Sequence, residues 1–188
     1  MGYTRRGRFV ALSAVGLLVS GAVGVATAQN GINISTGSAL ATAKLEGLRA
    51  NSAEIIPAHG PFGDNQSPSA MVRLGDATIA NACVLLSTID VPIIGEVTLV
   101  GHLAGEGGLK AQNLVIDATD ISGALTLEGA QIGTGLTSPD ERTNSGGIAV
   151  VGNVLDSPTL EVNVLGLTAD KLTTGGIRLE AQRGTGSC

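Results

Sequence analysis

Period-two alternation of apolar and polar residues runs through the second half of the chain. In "LKAQNLVIDATDISGALTLEG", Leu114, Ile116 and Ala118 share one side of an extended backbone, and Leu125 and Leu127 resume the pattern after Ser122-Gly123. Successive side chains of a strand point to opposite faces, so this spacing predicts half-buried strands. "LEVNVLGLTADKLTTGGIRLEAQ" repeats it with Leu160, Val162 and Val164, then Ile177 and Leu179; "AMVRLGDATIANACVLL" and "EVTLVGHL" read the same way. Residues 39–50 bring Leu40, Ala43 and Leu48 roughly into helical phase, but Gly47 interrupts them, and no segment of useful length is a convincing amphipathic helix. Pro, Gly, Asn and Ser collect at 57–69, 104–108 and 133–147, which predicts loops, and Val91-Pro92 ends a strand before Ile93.

One internal echo is visible. Leu114, Ile116, Ala118 and Ile121 align without gaps on Leu165, Leu167, Ala169 and Leu172; one inserted residue then brings Leu125 and Leu127 onto Ile177 and Leu179. The pattern predicts a single all-β domain over residues 29–188, an antiparallel β-sandwich or partly wrapped sheet. A β-solenoid is the alternative, because the echo resembles stacked units.

The first 28 residues differ in character. Arg5, Arg6 and Arg8 precede a 17-residue apolar stretch from Phe9 to Val25, and Ala26-Thr27-Ala28 fits the small-x-small cleavage rule. This predicts an N-terminal signal-peptide helix cut after Ala28, with an uncleaved anchor as the alternative, and an extracellular or cell-envelope location. Eleven basic against sixteen acidic side chains give the whole chain −5; losing the three leader arginines leaves −8. So acidic a surface repels phosphate backbones and argues against a nucleic-acid partner. Phe62 is the one aromatic residue beyond the leader, so the core must be built from Val, Leu, Ile and Ala.

Cys83 and Cys188 are the only cysteines. An even count in an exported chain favours a disulfide, which would tie a Gly-rich C-terminal tail to the core; free or intermolecular thiols are the alternative.

The arginine-rich start into "GRFVALSAVGLLVSGAVGVA", the segment "ANACVLLSTIDVPIIGEVTL", the block "AQNLVIDATDISGALTLEGAQIG" and the terminal Cys188 together resemble a family of exported actinobacterial proteins that carry a domain of unknown function. Many of its members are labelled "cholesterol esterase" by automatic transfer. The resemblance runs through most of the chain. It implies a secreted or envelope-associated β-protein with a small multi-spanning membrane protein as neighbour, and it carries over no catalytic residues.

The residues give an esterase little to work with. No serine has glycine at both −2 and +2, as a nucleophile elbow requires. The only histidines are His59, in a Pro-Gly loop, and His102, at a strand end, and neither lies near a serine in a recognisable motif. Asp117, Asp120 and Glu128 gather around one expected turn, where turn-capping explains them better than calcium binding. Catalytic, cofactor and metal residues are therefore each assigned as none. The expected role is structural or interactive, with an envelope component, a lipid or a small membrane protein as partner and self-association through strand edges. A lipid-binding module is the first alternative, and the hydrolase of the label is disfavoured.

Overall fold

A computed structural model describes residues 24–28, 31–35, 41–59, 68–86, 88–103, 107–136 and 147–188. All the regular structure among them is strand. The first strands are β1 (Gly24–Ala28), β2 (Gly31–Ser35), β3 (Ala41–Ala50), β4 (Ala53–His59), β5 (Pro68–Leu74) and β6 (Ala77–Ile79). Then come β7 (Asn81–Leu85), β8 (Ile89–Val91), β9 (Gly95–Leu103), β10 (Leu109–Gln112), β11 (Leu114–Gly123) and β12 (Thr126–Glu128). The last are β13 (Gln131–Thr134), β14 (Ile148–Gly152), β15 (Val154–Ala169), β16 (Lys171–Thr174) and β17 (Ile177–Arg183). Most of the expected leader helix, residues 1–23, lies outside the described residues. The last five residues of the expected leader are instead a strand, β1, paired with β2.

Pairing makes one continuous sheet, antiparallel throughout and not closed. Its main order is β13-β14-β4-β5-β11-β15-β3-β7-β9-β17. The 16-residue β15 is the spine, holding β3 along one edge and β11 and β12 along the other. A solenoid stacks its units in parallel, so the antiparallel pairing decides for the partly wrapped sheet over the solenoid.

Four corners do the wrapping. Asn51-Ser52 joins β3 to β4, Gly75-Asp76 joins β5 to β6, Asn113 joins β10 to β11, and Asp170 joins β15 to β16. They align into a seam. Asn51 N–H donates to Asp76 O (3.2 Å), Gly75 N–H to Ser52 O (3.1 Å), Asn113 N–H to Gly75 O (3.1 Å) and Asp170 N–H to Gln112 O (3.0 Å). Side chains lock it further: Asn51 Nδ2 donates to Asp76 Oδ2 (3.2 Å) and Asn113 Nδ2 to Asp170 Oδ2 (2.6 Å). Beyond the seam β6 pairs with both β3 and β10, and β10 with β16, which curls the sheet around its core. Each corner is one three-residue step between apolar positions: Ala50 to Ala53, Leu74 to Ala77, Ala111 to Leu114 and Ala169 to Leu172. All of these belong to, or pack against, one hydrophobic cluster.

Cross-strand partners share a face, so the core can be followed as rows. One runs Ile132, Val150, Ile55, Val72, Ile116, Leu167; another runs Ile121, Val162, Ala43, Val84, Gly101, Leu179. The middle of each row is buried or half-buried. The outer ends are not: Ile132 is 73% exposed and Leu179 is 74% exposed.

Two apparent misfits have local explanations. Pro158 stands inside the central strand β15, where proline would lose a ladder bond. It falls between the end of β11 and the start of β12 on one side, and faces Gly47 at a break in the β3 pairing on the other. Gly47 takes φ 61°, so the helical phase at 39–50 is resolved as a strand with an interruption. Pro57 sits in β4 beyond the reach of β14, which pairs only with Ala53–Ile55. The loop expected at 57–69 is thus shorter, because His59 still pairs with Pro68.

Candidate functional site

The C-terminal tail crosses the outer face of β9. Gly184 N–H donates to Glu96 O (2.8 Å) and Thr98 Oγ1 donates to Gly184 O (2.7 Å). Gly186 lies so close to Val100 and Thr98 that an added Cβ would come within 2.9 Å and 3.0 Å of their methyl carbons. Val100 and Thr98 are buried there. The chain then ends in the Cys83–Cys188 disulfide, with Cα atoms 5.7 Å apart and a sequence separation of 105. The bridge expected between these two residues is present, and no described cysteine is free.

The other singled-out residues do not converge. His59 ends β4 and His102 lies on β9, and five strands separate β4 from β9 in the sheet order. His102 pairs with Cys83 on one side and Arg178 on the other, and its partners include no serine. Asp117 and Asp120 do not sit at a turn. Both lie in β11, flanking a bulge where the register against β15 shifts, and Asp117 is buried. Glu128 ends β12, opposite Val154 at the far end of β15. The turn-cap reading of these acids is corrected accordingly: alternation put Ile116 and Ile121 on one strand only if an extra residue is absorbed, and the bulge absorbs it. No group of three His, Cys, Asp or Glu among the described residues could hold a metal ion.

The structure brings together two features that pattern reading missed. The first is an open groove of about 330 Å³ beside the seam, where β4, β5 and β11 leave their corners. Arg73 and Glu54, directly paired across β5 and β4, form a half-buried ion pair of 3.3 Å in its wall, between Val115 and Val151. Ser52 and Asn113 supply the polar end. Such a lining can accept and donate hydrogen bonds but presents no activated nucleophile. The one sequence signal was a lone charge in each of two apolar strands, "AEIIPAH" and "PSAMVRL".

The second is apolar surface at the sheet's ends. Ile177 and Leu179 stand out from β17, which among the described residues pairs only with β9, and Ile132 and Ile148 stand out from the β13–β14 end. Ile93, at the tip of the β8–β9 hairpin, is fully exposed and holds φ 78°. That conformation suits glycine or asparagine and is uncommon for a β-branched residue.

These features define an all-β protein made of one wrapped antiparallel sheet, pinned at its C-terminus by a disulfide and carrying its unusual surface at the sheet's open ends. The chain belongs to DUF6230, a family of unknown function, whose family model matches residues 31–188. No curated protein and no solved structure matches it significantly.

Proposed function

We propose that this is a secreted or envelope-associated β-protein with a structural or interaction role, working through the open ends of its sheet and not through reactive groups. The observation that carries the reading is the run of core rows out onto exposed edge strands, where Ile177 is 62% and Leu179 is 74% exposed. An exposed strand edge with aliphatic side chains is a template for adding another strand. The disulfide accords with an oxidising compartment. So does the position of the family match, which begins at residue 31, just past the cleavage expected after Ala28. The partner on this reading is another envelope component, such as a small membrane protein; the openness of the groove and the Arg73–Glu54 ion pair in its wall favour that over a buried lipid tail.

Cell fractionation tests this reading. N-terminal sequencing of the exported protein should begin at Gln29, and the protein should co-sediment with envelopes until salt or mild detergent releases it. Recovery of all of it in the cytosol with an intact N-terminus would refute the reading. Hydrolysis of p-nitrophenyl esters that disappears in His102→Ala would replace it with the esterase reading.

A further inference from the structure

We infer that β17 pairs edge to edge with β17 of a second copy of this chain, antiparallel, with Leu179 on the two-fold axis. The inference deepens the interaction reading above and rests on it. β17 is seven residues long, and none of the described strands pairs with its outer edge. Its free backbone groups can be assigned. Gly184 N–H donates to Glu96 O, continuing the register that pairs Arg183 with Val97. Hydrogen-bonded positions alternate along an antiparallel pair, so even-numbered residues of β17 turn their N–H and C=O toward β9. Odd-numbered residues, Ile177, Leu179, Ala181 and Arg183, turn theirs to the open side.

A second antiparallel copy must therefore place odd opposite odd. That requirement alone leaves several registers, and charge chooses among them. With Glu180 on the axis, two carboxylates face each other; with Arg178 on the axis, two guanidinium groups do. With Leu179 on the axis, Arg178 of each copy faces Glu180 of the other, twice by symmetry, and Ile177 faces Ala181. Arg178 and Glu180 already form an ion pair within one strand, with Arg178 side chain 79% exposed and free to engage a second carboxylate. The same register sets Leu179 against its own copy, so the row ending Val84, Gly101, Leu179 runs on across the axis. Pairing over residues 177–181 forms about six backbone hydrogen bonds between the copies, in an isologous contact that closes as a dimer and leaves the β13 end free.

Sedimentation equilibrium on the exported, disulfide-intact protein tests this, from about 1 to about 500 µM, the span in which a small edge contact associates. A monomer–dimer equilibrium is expected. Arg178→Glu sets acid against acid at both symmetric positions and should raise the dimer Kd at least about tenfold. Adding Glu180→Arg to it restores the complementary pairs and should return Kd to within about threefold of the starting value. Leu179→Pro removes an outward N–H that β9 does not use and should abolish the dimer. Circular dichroism monitors folding, and the exposed charge variants keep the test decisive if the proline variant misfolds. A monomer throughout the range overturns the inference, as does a dimer indifferent to Arg178→Glu or a double variant that fails to recover. Envelope co-sedimentation by the same variants separates the two readings: a monomer that still binds envelopes sinks the dimer and leaves the interaction role standing.

Discussion

Opening the Cys83–Cys188 bridge should cost this fold a large fraction of its stability, and the structure sets the size of the loss. The bridge spans 105 residues of sequence. Closing a loop of that length removes about 16 cal/mol/K from the unfolded ensemble, which is about 4.8 kcal/mol at 25 °C. The folded protein recovers part of this when the sulfurs part. Residues after Gly184 then keep only the packing of Gly186 on Val100 and Thr98, and they fray. Gly184 itself stays tied to Glu96 and Thr98, so β17 remains on β9. The expected net loss is about 3–5 kcal/mol. At about 2–4 °C per kcal/mol for a chain of this size, Tm falls by about 6–20 °C. Urea unfolding followed by circular dichroism, with and without reductant, measures this directly. The Cys83→Ser/Cys188→Ser double variant should match the reduced protein and ignore reductant. Because the constraint acts on the unfolded chain, its release should also raise the m-value, as the freed ensemble exposes more surface. A loss below about 1 kcal/mol with an unchanged m-value would refute the entropic account and reduce the bridge to a local clip on the tail.

Three further predictions concern the backbone. Asn113→Ala breaks the bond to Asp170 at the seam and removes the polar side chain that lets asparagine tolerate φ 49°, so it should cost about 2 kcal/mol, while Asn113→Gly, which adopts that φ without strain, should cost about half that by the same urea assay. Gly123→Ala should cost about 3 kcal/mol or more, because φ is 143° and the added Cβ would lie 2.3 Å from Thr159 O; the measurement is the unfolding midpoint. Ile93→Asn should stabilise by about 1 kcal/mol, since the side chain is fully exposed and asparagine tolerates its φ of 78°; a loss of stability would mean that Ile93 is held by contacts beyond the hairpin.

Strand content was legible because alternation is a local signal, and β11, β15 and β17 stand where Leu114, Leu160 and Ile177 mark it. The corners leave only a faint trace in the sequence. At Ala50–Ala53, Leu74–Ala77, Ala111–Leu114 and Ala169–Leu172 the inward residues step by three instead of two, and an Asn or Asp sits within each step. The internal echo owes its existence to this slip. Ala118 to Ile121 is also a step of three with Asp120 inside it, but β11 has a partner on either side there, β5 at Ala118 and β15 along its length, and takes up the extra residue as a bulge. After Ala169 the chain turns instead, because Asp170 meets Asn113 at the seam. One sequence motif thus has two structural outcomes, decided by neighbours distant in the chain. The groove was hidden for the same reason: Glu54 and Arg73 become a site only when β4 and β5 set them side by side.

The composition of the core bears on where this protein can act. Its central cluster holds Ala43, Ala50, Ala53, Ala77, Ala82, Ala111, Ala118 and Ala169 beside the larger aliphatics. Small side chains let sheet layers close on one another. The surface features that the proposed interaction role would use lie at the groove wall and the sheet's ends. The ends differ from ordinary exposed leucines. Ile132 and Leu179 continue rows whose inner members are core, so their exposure follows from a sheet that stops before its apolar face does. A wrapped sheet can hide such a face by closing, by covering its edge, or by pairing with another strand. This sheet does not close, and β17 opposes Arg178 and Glu180 in the pattern that the third route needs.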